Sequence, residues 1–144
     1  MDLLQAATKE HYEDMLNLRK EVFVEEQNIP LDQAFDGEEE KRIQVVAYLA
    51  GEIAGNGRLK IIDADTVKPE RMCVKKKYRK KGIGESMVRE LEKIASQKGY
   101  RFSIIHAQRQ AADFYEKLGY QKVSDVFVEQ GIEHVKMRKE LSNG

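Results

Sequence analysis

The chain has one cysteine, two prolines and no tryptophan among its 144 residues, and neither sign of charge is in excess. A lone Cys73 excludes an internal disulfide framework and any cysteine-based metal cluster. Basic and acidic residues number 25 each, so no global field draws the chain onto nucleic acid, and a basic site has to be local. No apolar run reaches the roughly 18 residues that would span a bilayer. The first residues, Met1-Asp2-Leu3-Leu4-Gln5, lack the basic and long apolar regions of a signal peptide. Repeats, low-complexity tracts and Pro/Gly/Ser linkers are also missing. The expectation is one cytoplasmic domain over residues 1–144, a monomer or homodimer with no nucleic-acid or membrane partner. What is present, 41% hydrophobic and 35% charged residues, is the balance of a chain that folds.

Hydrophobic periodicity orders the elements. Asp2 to Ala7 reads as a short strand, and Thr8 caps a helix in which Tyr12, Met15, Leu16, Arg19, Val22 and Phe23 follow at helical spacing. That helix ends near Gln27-Asn28, before Pro30. Leu31 to Arg42 is acidic, a loop or short helical turn with Asp36-Gly37 as a tight turn. Ile43 to Ala50, Ile53 to Ile62 and Val67 to Val74 read as an antiparallel meander with turns at Gly51-Glu52 and Asp63 to Thr66. Gly55 and Gly57 inside the second strand mark a bulge or a close approach of another element. The period then changes to helical, with Ile83, Met87, Val88, Leu91, Ile94 and Ala95 on one face and Gly99 as the stop. A strand (Phe102 to Ala107), a short helix (Ala111 to Leu118) and two strands (Tyr120 to Val128, His134 to Arg138) around Gly131 complete the chain. Strand, helix and strand from Val67 to Ala107 predict a parallel crossover in a mostly antiparallel sheet.

The chemically informative segment lies between the third strand and the second long helix. It reads Arg79-Lys80-Lys81-Gly82-Ile83-Gly84-Glu85-Ser86. Glycines at a helix mouth let the backbone approach a ligand closely. The first N–H groups of the helix are unpaired and carry the positive end of its dipole. Together they make an anion site, with a solvated basic turn as the competing reading. A Walker loop would need Lys-Ser/Thr after its second glycine, and Glu85-Ser86 stands there instead. A dinucleotide fingerprint would need a third glycine.

The remaining pattern, Arg-x-x-Gly-x-Gly, resembles motif A of the GNAT acetyltransferases. The preceding Glu70-Arg71-Met72-Cys73-Val74 is similar to that family's splayed strand. Downstream, Gln108-Arg109-Gln110-Ala111-Ala112-Asp113-Phe114-Tyr115-Glu116-Lys117-Leu118-Gly119-Tyr120 resembles its Asn-x-x-Ala-x-x-Phe-Tyr-x-x-x-Gly-Phe/Tyr segment, with Gln108 in place of the usual Asn. Arg19 to Pro30 is similar to a segment of small bacterial members whose substrates are unassigned. The resemblance implies an α/β (α+β) GNAT fold: a mixed, mostly antiparallel sheet of six to seven strands flanked by helices, around a β-α-β core that binds acetyl-CoA. It further implies N-acetyl transfer without a metal, from acetyl-CoA to an unidentified amine acceptor.

The resemblance assigns the pyrophosphate of coenzyme A to Arg79, Lys80, Lys81, Gly82, Ile83 and Gly84, with Glu85 and Ser86 opening the helix. Met72, Cys73 and Val74 flank the thioester, and the Val74 main-chain N–H is the oxyanion donor. Gln108, Ala112, Phe114 and Tyr115 border the pantetheine. Tyr115 is the expected general acid for the leaving thiolate, against a plain core role beside Phe114. A phenol near pKa 10 donating to a thiolate of about 8.5 is uphill by roughly 2 kcal/mol. Glu70 is the expected base, directly or through water, against a salt bridge with Arg58 or Arg71. Strict alternation puts Glu70, Met72 and Val74 on one face and Arg71 and Cys73 on the other. That orientation speaks against an acyl-Cys73 intermediate. His106, within a strand, reads as a satisfied buried histidine, while His11 and His134 show no convergent partners. Glu26 and Gln27 are the expected contacts for a cationic amine, against a solvated helix end. A non-catalytic CoA-binding sensor on the same fold is the alternative.

Overall fold

The computed structural model describes residues 1–35, 37 and 42–141. Asp36 of the expected turn lies outside the described residues. Thr8 begins the first helix, α1 (Lys9–Arg19), as expected: its hydroxyl accepts from the His11 N–H at 3.1 Å, and the His11 ring accepts in return from the Thr8 N–H at 3.3 Å. This reciprocal cap satisfies donors that a helix start otherwise leaves open, and it gives His11 a structural role. The helix continues as a wider π-helical segment, Lys20–Glu26, and ends where Asn28 enters the left-handed region at φ 59. The buried stripe runs through Met15, Leu18, Arg19, Val22 and Phe23; Leu16, expected inside, falls beside it and faces solvent. A single helical turn, α2 (Leu31–Ala34), follows.

Among the described residues eight strands form one sheet, one or two more than expected: β1 (Asp2–Gln5), β2 (Ile43–Leu49), β3 (Glu52–Ile61), β4 (Thr66–Val74), β5 (Phe102–Gln108), β6 (Gln121–Lys122), β7 (Phe127–Glu129) and β8 (Ile132–Glu140). The spatial order is β1-β2-β3-β4-β5-β8-β6, with β7 beside β8. The extra strand arises because Tyr120 to Val128 is not continuous; it breaks into β6 and β7, which pair with different stretches of β8. The two-residue turn Ala50-Gly51, with φ 53 and 77, matches the twist of the β2–β3 hairpin.

Helix α3 (Ile83–Gln97) buries the predicted face of Ile83, Met87, Val88, Leu91, Ile94 and Ala95, and Glu92 as well. Glu92 is accepted inside because it receives hydrogen bonds from Tyr120 Oη at 2.8 Å and Lys139 Nζ at 2.9 Å. The helix lies against β2, β3 and β4, and the short helix α4 (Ala112–Lys117) packs with Val88, Ile105 and Val135 on the same side of the sheet. Helix α1 and its π-helical continuation cover the other side.

Gly55 is where α3 comes closest. A Cβ there would stand 2.9 Å from Met87 Sδ and Cε and 3.1 Å from Ile83 Cγ2. Gly55→Ala is expected to destabilise the fold by about 1–3 kcal/mol through overpacking. Urea unfolding with an unchanged slope would register this as a lower midpoint, and a midpoint equal to wild type would show that Met87 yields freely.

Candidate active site

Only Thr66 and Val67 of β4 pair with Phe102 and Ser103 of β5. Beyond them the strands separate, and the gap becomes a cleft of about 460 Å³ lined by residues from both sides of the sheet. Side chains enter it from elements far apart in sequence: Gln27 from the end of the π-helical segment, Glu70 and Met72 from β4, Gln108 from β5, and Tyr115 from α4. These are five of the residues expected to meet there.

A β-bulge changes the orientation expected for β4. Asn56 pairs with Cys73 and Arg58 with Glu70, so two steps along β3 answer to three along β4. Arg71, at φ 56, absorbs the additional residue. Residues paired across a ladder share a face, so Glu70 lies on the face of Cys73, toward α1 and α2. Met72 and Val74 pack on the α3 side. The expectation that Glu70 and Val74 share a face is therefore corrected: strict alternation fails at Arg71. Glu70 Oε1 accepts from Arg58 Nε at 2.9 Å and Nη2 at 2.8 Å, and Lys68 Nζ stands 3.8 Å from Oε2. The salt bridge with Arg58 and a place in the cleft are both realised.

Cys73 is on the cleft's face of the sheet yet buried away from it, among Leu18, Val22, Phe23, Ile29 and Ala34. Burial pushes its thiol up to about 12. It is expected to stay silent to Ellman's reagent in the native protein and to react on unfolding in guanidinium, so a thiol assay on the folded protein counts only released CoA. Rapid native labelling would contradict this burial.

The basic turn is built differently from a diffuse cationic patch. Lys75 Nζ pairs with Glu21 at 3.1 Å and Glu52 at 3.5 Å, Lys77 pairs with Glu52 at 2.7 Å, and Arg79 forms a two-bond fork with Glu26, Nη2 to Oε1 at 2.7 Å. The Lys77 and Tyr78 hydrogen bonds hold the Glu52 carboxyl down to about 2. Arg79 Nε also donates to the Val74 carbonyl at 3.0 Å. Glu26 therefore does not line the cleft beside Gln27; the hydrogen bond from Arg79 lowers its pKa and ties the π-helical segment to the turn. Lys80, at φ 65, and Gly82, at φ 80, bend the backbone into the start of α3. No side chain caps this helix, in contrast to Thr8 on α1, and an anion would meet its first N–H groups.

Beyond the turn, Ile83 is buried in the core and Glu85 accepts from Arg89 at 3.1 Å, while the Ser86 N–H already bonds the Gly82 carbonyl at 3.1 Å. The two sequence motifs meet in space: Phe114 Cζ lies 3.7 Å from where a Cβ of Gly84 would be. Phe114 is otherwise exposed, its ring edge-on to Tyr115 at 5.0 Å, and Ala112 is buried beneath. Tyr115 is also edge-on to Tyr120 at 6.0 Å, and burial pushes its phenol up to about 12.

The sequence profile of the acetyltransferase (GNAT) domain matches residues 4–141. The chain belongs to the GNAT acetyltransferase family. The Bacillus subtilis protein YyaT is 40% identical over 99% of this GNAT chain and 97% of its own. The structure of a Lactobacillus plantarum protein assigned as an N-acetyltransferase has a TM-score of 0.92 and 29% identity, covering 98% of both chains. An aminoglycoside 6′-N-acetyltransferase solved with coenzyme A has the same fold, with a TM-score of 0.82 at 18% identity over 99% and 98% of the two chains.

The GNAT cleft also holds His106 and His134, which the sequence placed outside the site, and Glu129. His106 is not enclosed in the sheet; it lines the cleft, a quarter exposed, with Nδ1 3.1 Å from Glu129 Oε1. Alternation from Gln108 would have placed His106 on the same face, and that signal was available. Glu129 and His134 reach the cleft through the hairpin expected around Gly131, but nothing local shows that this hairpin folds against the gap beside β5.

Proposed function

We propose that this GNAT domain transfers the acetyl group of acetyl-CoA to a primary amine by direct attack in a ternary complex. The observation that carries the reading is the cleft through the parted strands, with Tyr115 on the α4 side and the Glu70 carboxylate on the opposite side. A thioester and an amine can enter from opposite faces and meet between them.

The uncapped start of α3, reached through left-handed Gly82, receives the pyrophosphate of CoA on backbone N–H groups. The pantetheine follows the gap between β4 and β5, past Met72, Gln108 and Phe114. The Val74 main-chain N–H and the Tyr115 hydroxyl serve the thioester carbonyl and the departing sulfur. Burial widens the gap between the Tyr115 phenol and a thiol in water, but a thiolate formed in the same cleft is raised by the same desolvation. Glu70, held by Arg58, presents a fixed negative charge to an incoming ammonium, with Gln27 beside it.

Release of CoA thiol from acetyl-CoA, measured against spermidine, glucosamine, kanamycin and a lysine-containing peptide, tests this reading. Acceptor-dependent release is expected with at least one class. Tight CoA binding without release on any of them would leave a CoA-binding sensor as the better account.

A further inference from the structure

The β7–β8 hairpin turns at Gln130-Gly131, with φ 54 and 75, and this fold-back sets Glu129 against His106 at the cleft. A carboxylate only accepts hydrogen bonds, so Nδ1 of His106, 3.1 Å from Glu129 Oε1, carries the hydrogen. In the neutral ring Nε2 then keeps its lone pair. The Phe127 ring stands edge-on to His106 at 5.2 Å and limits rotation of the imidazole. This is the general arrangement of an oriented base: a histidine whose far nitrogen is fixed by an acid, at the wall of a cleft.

We propose that His106 is the base that takes the proton from the acceptor ammonium, with Glu129 as its positioning residue. The proposal rests on the acetyl-transfer reading above and names the base for that reaction. Glu70 is the weaker alternative, because Oε1 already accepts two hydrogen bonds from Arg58. His134 is a weaker alternative too: it is nearly buried, its Nδ1 donates to the Ile132 carbonyl at 2.7 Å, and it stacks on Phe127. The groups that face His106 are Glu129 from β7, Lys136 (the cross-strand partner of His106) and His134 from β8, and Lys68, Glu70 and Arg71 across the cleft on β4. Burial pushes the Glu129 carboxyl up, but the hydrogen bond and charge of His106, with Lys68 and His134, outweigh it and hold the group below its usual range. Glu129 therefore remains an anion able to stabilise an imidazolium.

The step balances as follows. Nε2 of His106 takes one proton from the ammonium, and the freed nitrogen pair attacks the thioester carbon. As the carbon–sulfur bond breaks, the sulfur leaves with the bonding pair and receives the Tyr115 proton. The nitrogen's second proton restores the phenol, and the imidazolium passes the first to solvent.

The experiment is the pH profile of kcat/KM for thiol release, using whichever of the four amines above turns over fastest, for wild type, His106→Gln, Glu129→Gln and Glu70→Gln. Calorimetry with CoA serves as a check on folding and cofactor affinity. His106→Gln is expected to lose about 100-fold at neutral pH, together with the acidic limb of the profile, at unchanged CoA affinity. Glu129→Gln is expected to lose less, in kcat rather than in KM for the amine, since the imidazole keeps its base but loses the partner that orients it. Glu70→Gln is expected to raise KM for the amine and keep the limb. A wild-type profile in His106→Gln, or loss of the limb in Glu70→Gln alone, would overturn the assignment of the base and leave acetyl transfer standing. Absence of thiol release from wild type with all four amines would overturn both.

Discussion

Tyr115→Phe is expected to lower kcat for thiol release by about 100-fold, within the usual range for loss of a positioned acid or base, with the dissociation constant for CoA nearly unchanged. The substitution removes one oxygen and keeps the ring. The edge-on contacts with Phe114 at 5.0 Å and Tyr120 at 6.0 Å are ring contacts, so the packing of α4 survives. The hydroxyl makes no hydrogen bond to any described residue, so its removal orphans no partner. A role in packing alone would appear as lost thermal stability at normal turnover. Steady-state kinetics with calorimetry and a melting curve separates the cases, and full turnover in the variant would remove Tyr115 from the mechanism.

Gly82→Val is expected to weaken CoA binding by about 100-fold. This is the order set by losing two charge-assisted hydrogen bonds, at about 1.4 kcal/mol per tenfold. Gly82 sits at φ 80, where a β-branched residue is strained, yet a Cβ there would meet nothing within 4 Å. The fold has room for the side chain, and it is the turn's conformation that does not tolerate it. The backbone N–H groups at the start of α3 would lose the alignment an anion needs. Calorimetry with CoA reads the loss, and circular dichroism should show an intact fold. Wild-type affinity in this variant would mean that the pyrophosphate binds elsewhere.

The long, strongly periodic elements were legible in the sequence. The buried face of α3, the Thr8 cap and the parallel crossover all follow from rules acting within a few residues. The residues singled out in the sequence also converge in space, since Glu70, Met72, Gln108, Tyr115 and Gln27 line one cleft together. What could not be read depends on partners distant in the chain. The bulge at Arg71 is a property of the β3–β4 register, and it turned Glu70 to the face opposite Val74. Glu26 appeared free to meet an amine because its partner, Arg79, lies 53 residues away. Tyr120 to Val128 reads as one strand by local composition, and only pairing with β8 shows where it breaks. A histidine within a strand reads as enclosed, and that rule fails for His106 because it stands beside a gap in the sheet.

That gap has a mechanical consequence. Among the described residues, two pairs stitch β4 to β5, Thr66 with Phe102 and Val67 with Ser103. The sheet is in effect two leaves pinned at one end. Helix α3 braces them from one side, with Met87 and Leu91 on the first leaf and Val88 on the second. The free edges of β4 and β5 form the jaws, and whatever fills the space between them sets their angle. A molecule that bridges those edges acts as the missing row of stitches, so amide exchange along Lys68 to Val74 and Ile104 to Gln108 becomes a direct gauge of how firmly the leaves are clasped.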